Sequence, residues 1–199
     1  TGLPNRLQLQ DKLDQILLDA SRLKYRVAVL CIGLDDFKGI NEQFGYHSGD
    51  ELLIALAERL RRQTGRQHTL ARLGGDQFVV VQTKIEQPYE AAELAQLILD
   101  DLGQAVALEQ FAVRLHATIG ITLFPEDGAS TEQLLLKAEQ TMTLAKARSR
   151  NRYQFFIASL DSEIRQRREL QKHLREALTR NELYLVYQPF DSWTYLRFV

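Results

Sequence analysis

Between Arg26 and the acidic pair Asp35-Asp36 the chain passes through Val27-Ala28-Val29-Leu30-Cys31-Ile32-Gly33-Leu34 without one charged or hydroxyl side chain. A continuous apolar run of this length is a strand of the fully buried kind. It commits the chain to an α/β architecture in which other elements are layered against this strand.

The flanking patterns supply those elements. Leu9, Leu13, Ile16, Leu17 and Ala20 recur at helical spacing and predict an amphipathic first helix. A short helix is expected over Phe37 to Glu42. Ser48-Gly49-Asp50-Glu51 then reads as a capping box opening a helix that carries Leu52, Leu53, Leu56 and Leu60. Strands over Thr69–Leu73 and Gln77–Thr83 flank a hairpin tip at Gly74-Gly75-Asp76. A helix is expected around Tyr89–Leu102. Val113 to Phe124 alternates, with Val113, Leu115, Ala117, Ile119, Ile121 and Leu123 on one face. After the turn Pro125-Glu126-Asp127-Gly128, Ser130-Thr131-Glu132-Gln133 caps a helix bearing Leu134, Leu135, Ala138, Met142 and Ala145. The order β-α-α-β-β-α-β-α predicts an α/β (α+β) ferredoxin-like fold, its sheet containing antiparallel strands and its helices on one face.

Composition narrows the function. Hydrophobic residues at 45% and charged residues at 26% exclude wholesale disorder. A net charge of −1 gives no bulk field for nucleic acid or an anionic membrane, so neither is an expected partner. A nucleotide needs only a local set of donors. Cys31 is the single cysteine, which rules out an internal disulfide and a cysteine metal cage and suits a small buried hydrophobe. No apolar run approaches the roughly 20 residues that cross a bilayer. The expectation is a cytoplasmic domain, cut from a longer parent in which an inner-membrane anchor is left open.

The chemistry gathers at strand ends. Asp35-Asp36 closes the first strand and Asp76 stands at the hairpin tip, and clustered carboxylates are what a hard cation such as Mg²⁺ requires. Gly74 and Gly75 permit positive φ and leave room for a phosphate. Lys38, Lys146 and Arg150 could neutralise that phosphate. Singly, each has an ordinary explanation: a hairpin, a strand terminator, a solvated cation.

In this order, however, they resemble the GGDEF family of diguanylate cyclases. The resemblance rests on Thr1-Gly2-Leu3-Pro4-Asn5-Arg6, Asp35-Asp36-Phe37-Lys38-Gly39-Ile40-Asn41, Gly45 to Asp50 and Ala71-Arg72-Leu73-Gly74-Gly75-Asp76-Gln77-Phe78. Ala117-Thr118-Ile119-Gly120-Ile121 and Ala145-Lys146-Ala147-Arg148-Ser149-Arg150-Asn151 continue it, so that residues 1 to about 155 form one domain with a nucleotide-cyclase-type sheet. The resemblance implies that Asn41 and Asp50 read guanine, with Phe37 beside them. It implies that Lys38, Lys146 and Arg150 meet the triphosphate of GTP, and that Asp76 and position 77 serve metal and catalysis.

Two positions depart from the family pattern. Its first metal carboxylate lies eight residues before the guanine-reading Asn, and here that residue is Gly33. Asp35 shares the strand face but lies about 6.6 Å further on, at ~3.3 Å per residue. The fourth signature residue, normally Glu, is the neutral Gln77, which cannot act as a base. A Mg²⁺ site reduced to Asp76 is weakened, and losing several kcal/mol of transition-state stabilisation slows a reaction by ~10³-fold or more. The family's R-x-x-D product-inhibition motif is replaced by Gly65-Arg66-Gln67-His68.

Beyond Phe156 the composition shifts to alternating charge, and residues 156–181 predict a helical linker with an apolar stripe of Leu170, Leu174, Ala177 and Leu178. Leu174-Arg175-Glu176-Ala177-Leu178 and Glu182 to Pro189 resemble the opening of an EAL domain, the cyclic-di-GMP phosphodiesterase family, so that residues 182–199 are expected to be its truncated start. The reading is a degenerate GGDEF domain that binds GTP and regulates a downstream EAL domain. The alternative is a weak diguanylate cyclase acting as a homodimer through Asp35 and Asp76.

Overall fold

The computed structural model describes residues 1–65, 67–107 and 112–180. Arg66 and the expected EAL start at 182–199 lie outside them. The chain divides into two compact units, Thr1–Ile164 and Arg165–Val199.

In chain order the elements are α1 (Arg6–Leu23), β1 (Arg26–Leu34), α2 (Phe37–Thr64), β2 (Thr69–Gly74), β3 (Gln77–Ile85), α3 (Pro88–Leu102), β4 (Val106–Ala107), β5 (Ala112–Val113), β6 (Ala117–Phe124), α4 (Thr131–Arg148), β7 (Tyr153–Phe155) and α5 (Ala158–Thr179). The main sheet has five strands in the order β2-β3-β1-β6-β7. All of its pairs are antiparallel except β6 with β7. The β1-α2-β2-β3-α3-β6 portion, with β1 between β3 and β6, is the split ferredoxin-like arrangement the sequence predicts.

Helices cover both faces of this sheet, a correction to the expectation of one. Ala28, Leu30, Ile32 and Leu34 of β1 pack with Leu52, Leu56 and Leu60 of α2 and with Ala95 and Ile98 of α3. The alternate residues Val27, Val29 and Cys31 pack with Leu9, Leu13 and Leu17 of α1 and with Leu134, Ala138 and Met142 of α4. A strand without polar side chains must be shielded on both sides, and α1 and α4 supply the second shield. At ~25 cal/mol per Å² of buried apolar surface, this double layer is the main favourable term in folding.

Two further boundaries differ from expectation. The helix predicted to open at Ser48 is already under way there. Gly45 (φ 84°, ψ 160°) breaks α2 into two helical stretches, so the kink and not a capping box marks the second start. The strand predicted over Val113–Phe124 is interrupted at residues 114–116, leaving β5 paired only with β4. The residues of β6 are buried throughout, Thr118 and Thr122 included.

Gly120 of β6 sets the seat of α4. A Cβ there would overlap the Ala138 carbonyl and come within 3.0 Å of the Met142 Cα, so helix and strand touch through their backbones. Thr122 Oγ1 strengthens the seat by donating to the Leu134 carbonyl at 3.1 Å. Lys146 lies one turn beyond Met142 on the same helix face and is thereby carried over the end of β1.

Candidate nucleotide site

The C-terminal end of β1 and the β2–β3 turn form the centre of the site. Gly74 (φ 146°) and Gly75 (φ 50°) give the turn a shape that residues with a side chain rarely adopt. Arg72 fixes it by donating from Nε and Nη2 to the Gly75 carbonyl at 3.1 and 2.7 Å. Gly33 pairs with Gln77 in the ladder, and the Leu34 amide donates to the Asp76 carbonyl at 3.2 Å. Position 33 and the Asp76 carboxylate therefore belong to one small region.

Lys146 enters that region from α4. Its Nζ donates to the Leu34 carbonyl at 2.8 Å and lies 3.6 Å from Asp76 Oδ2, with the two side chains 26% and 34% exposed. A Cβ on Gly33 would lie 2.8 Å from Lys146 Nζ and 2.6 Å from Met142 Sδ. The space a side chain at position 33 would fill is taken by the ends of these two.

Asp35 is held elsewhere. Its carboxylate is buried and accepts from the Thr118 hydroxyl at 2.9 and 3.1 Å and from the Asn151 backbone N–H at 3.0 Å. Its own amide donates to the His116 carbonyl at 2.8 Å. Asp35 thus joins β1, the start of β6 and the segment after α4. That segment contains the exposed Arg150, next to the anchored Asn151.

A second group forms around the kink in α2. The turn at Gly45 brings Gly49 against Asn41 and Phe37: a Cβ at position 49 would collide with Asn41 Oδ1 and lie 3.3 Å from Phe37 Cζ. Asn41 and Phe37 are half-buried, while Asp50 is exposed immediately after the buried Gly49. Lys38 is exposed and forms an ion pair with Glu42 at 3.4 Å. The predicted residues thus fall into two clusters, Asp76–Lys146 over Gly33 and Phe37–Asn41 over Gly49, both following from the end of β1.

The family described as "Diguanylate cyclase, GGDEF domain" matches residues 1–152. The chain belongs to the GGDEF family. It is 42% identical over 189 residues to MucR of Pseudomonas aeruginosa, a bifunctional diguanylate cyclase/cyclic di-GMP phosphodiesterase, covering 95% of this chain and 27% of MucR. It is 31% identical over 193 residues to the cyclic di-GMP phosphodiesterase PdeR of Escherichia coli, covering 97% of this chain and 29% of PdeR. The chain therefore spans little more than a quarter of the length of these relatives. Among solved structures, the GGDEF domain of YfiN (TpbB) from P. aeruginosa superposes with a TM-score of 0.76 at 34% identity, covering 77% of this chain and 96% of that one. The active GGEEF domain of a Vibrio cholerae diguanylate cyclase superposes at 0.70 with 27% identity, covering 77% and 97%.

In this GGDEF domain the signature reads Gly74-Gly75-Asp76-Gln77-Phe78. The divalent cation that the family resemblance implies does not fit the donors present. Gly33 offers no ligand, Asp35 is hydrogen-bonded away, and Asp76 already faces an ammonium. Among the described residues no group of three or more His, Cys, Asp or Glu side chains is placed to hold a metal ion. The family resemblance implies a phosphate contact for Lys146, and its pairing with Asp76 and Leu34 is not legible in the sequence. Nor is Thr118 legible there as the partner of Asp35. The hint of the first is Gly33 itself, an unfilled place beneath a helix that ends in cations.

Proposed function

We propose that this GGDEF domain binds GTP without converting it to cyclic-di-GMP and regulates a phosphodiesterase that follows it. The observation that carries this reading is the state of Asp76. It is the one acid remaining of the expected metal and catalytic set, beside Gly33 and Gln77, and Lys146 already balances its charge. The Vibrio cholerae domain described as active has Glu in the fourth signature position, where this chain has an amide that cannot take a proton.

Support for nucleotide binding comes from the other cluster. Gly49 is kept free of a side chain where Asn41 lies over it, so the Asn41 amide and the neighbouring exposed Asp50 remain available for a guanine edge. Lys38 and Arg150 are exposed cations suited to phosphate oxygens. The regulatory part draws on the relatives. A match of 189 residues to MucR extends past the 152 that the GGDEF family covers, into the segment that resembles an EAL opening. NbdA of P. aeruginosa, a cyclic di-GMP phosphodiesterase, is 34% identical over 189 residues and is covered to 24% of its length.

The alternative, a weak homodimeric cyclase, is favoured by the bifunctional MucR being 42% identical. One experiment separates them. Concentrated protein is titrated with GTP by calorimetry and the mixture is chromatographed after long incubation. Heat of binding with unaltered GTP is the expected result. Cyclic-di-GMP would establish the cyclase instead, and absence of binding would refute the GTP reading.

A further inference from the structure

We propose that the Lys146 ammonium is the resident cation of this site, standing where a divalent metal would otherwise sit and making nucleotide binding independent of metal. The inference rests on the GTP-binding reading above and specifies how the phosphate end is held. Three distances locate the ammonium: 2.8 Å from the Leu34 carbonyl, 3.6 Å from Asp76 Oδ2, and 2.8 Å from the place of a Cβ on Gly33. A carbonyl and a carboxylate are oxygen donors of the kind that hard cations select, and here they surround nitrogen.

The arrangement excludes the metal in two ways. A divalent ion at Asp76 would have one carboxylate for its neutralisation and an ammonium as its neighbour, and like charges at such distances repel. It would also lack a ligand from position 33. The two conditions are linked, because a side chain on Gly33 would land on Lys146 Nζ. With glycine at 33, the end of Lys146 takes the space a side chain would fill, on a helix seated by its backbone contact with Gly120. The ammonium has three donors, and with one given to the Leu34 carbonyl it retains donors for a phosphate oxygen.

The test measures GTP affinity calorimetrically in Mg²⁺ and in excess EDTA, and separately measures Mn²⁺ binding to the nucleotide-free protein by electron paramagnetic resonance. Wild type is expected to bind GTP equally in the two buffers, within about twofold. Lys146→Met is expected to lose roughly tenfold in EDTA. Wild type is expected to bind no Mn²⁺, whereas the double variant Gly33→Asp with Lys146→Met, which adds a second carboxylate beside Asp76 and removes the ammonium, gains it. The clashing atoms at position 33 are the ends of flexible side chains, so the aspartate can be accommodated. A roughly tenfold gain in wild-type affinity from Mg²⁺ overturns the proposal. So does Mn²⁺ binding by wild type that Asp76→Asn abolishes, or a folded double variant that takes no Mn²⁺. If GTP binds in neither buffer, the GTP reading fails, and the Mn²⁺ measurements still decide whether Lys146 holds the cation position.

Discussion

The Thr118 hydroxyl spans both carboxylate oxygens of Asp35, at 2.9 and 3.1 Å, inside the sheet. This contact makes Asp35, the one acid of the Gly33-Leu34-Asp35 segment, a tie between strands. Thr118→Val keeps the shape and removes the donor, leaving a buried carboxylate short of a partner. The expected loss of stability is about 1–3 kcal/mol, read from urea unfolding. An unchanged midpoint would show that Asp35 does not depend on this bond.

Gly49→Ala separates stability from binding. Alanine improves the helix by up to about 1 kcal/mol, which offsets the cost of moving the Asn41 side chain it would strike. The unfolding midpoint is therefore expected to shift little. GTP affinity is expected to fall by roughly tenfold, because the displaced amide no longer meets the base. Calorimetry on the folded variant checks this, and full affinity would remove Asn41 from the binding surface.

Burial pushes the Cys31 thiol up to about 12, beyond any effect of the surrounding charges. The thiolate is the reactive form, so native protein at mildly alkaline pH is expected to resist maleimide or disulfide reagents. Unfolding in urea should release one reactive thiol per chain. Rapid labelling of the native protein would contradict the packing of β1 against α4.

Asp127 gives a pH signature of known sign. Burial raises its carboxyl above the ordinary 3.8, although the Leu123 amide donates to it at 2.7 Å and Lys137 lies nearby. A folded-state value above the unfolded one makes its contribution fullest below 3.8 and progressively lost as pH rises through the raised value. Asp127→Asn removes this term. Its unfolding free energy relative to wild type is expected to improve as pH rises from 3.8 through the raised value and to level off above it, and a pH-independent difference would be the contrary result.

Much of the fold can be read from local sequence. The β1 boundaries at Arg26 and Leu34 agree with the apolar run, and Ser130 caps α4 by accepting from the Gln133 amide at 3.3 Å, as its pattern predicts. The shield on the second sheet face was less legible, because the alternate residues of β1 are as apolar as their neighbours and periodicity cannot say what covers them. The break at Gly45 was obscured by a plausible cap at Ser48 three residues later, since helix signals overlap when two helical stretches adjoin. At the site, the family resemblance singled out Asp76, Asn41, Asp50 and Lys146 as candidates. The pairing of Lys146 with Asp76 depends on a helix, a strand end and a turn meeting, and no single segment encodes it.

The backbone contact at Gly120 gives this site a mechanical calibration. No side chain cushions α4 against β6 there, so the helix has little freedom to settle at another height. The reach of Lys146 toward Asp76 is consequently gauged from the main chain of a neighbouring strand. Any sliding of α4 along β6 would alter the charge felt at the turn, which couples a rigid-body coordinate to the electrostatics around Asp76.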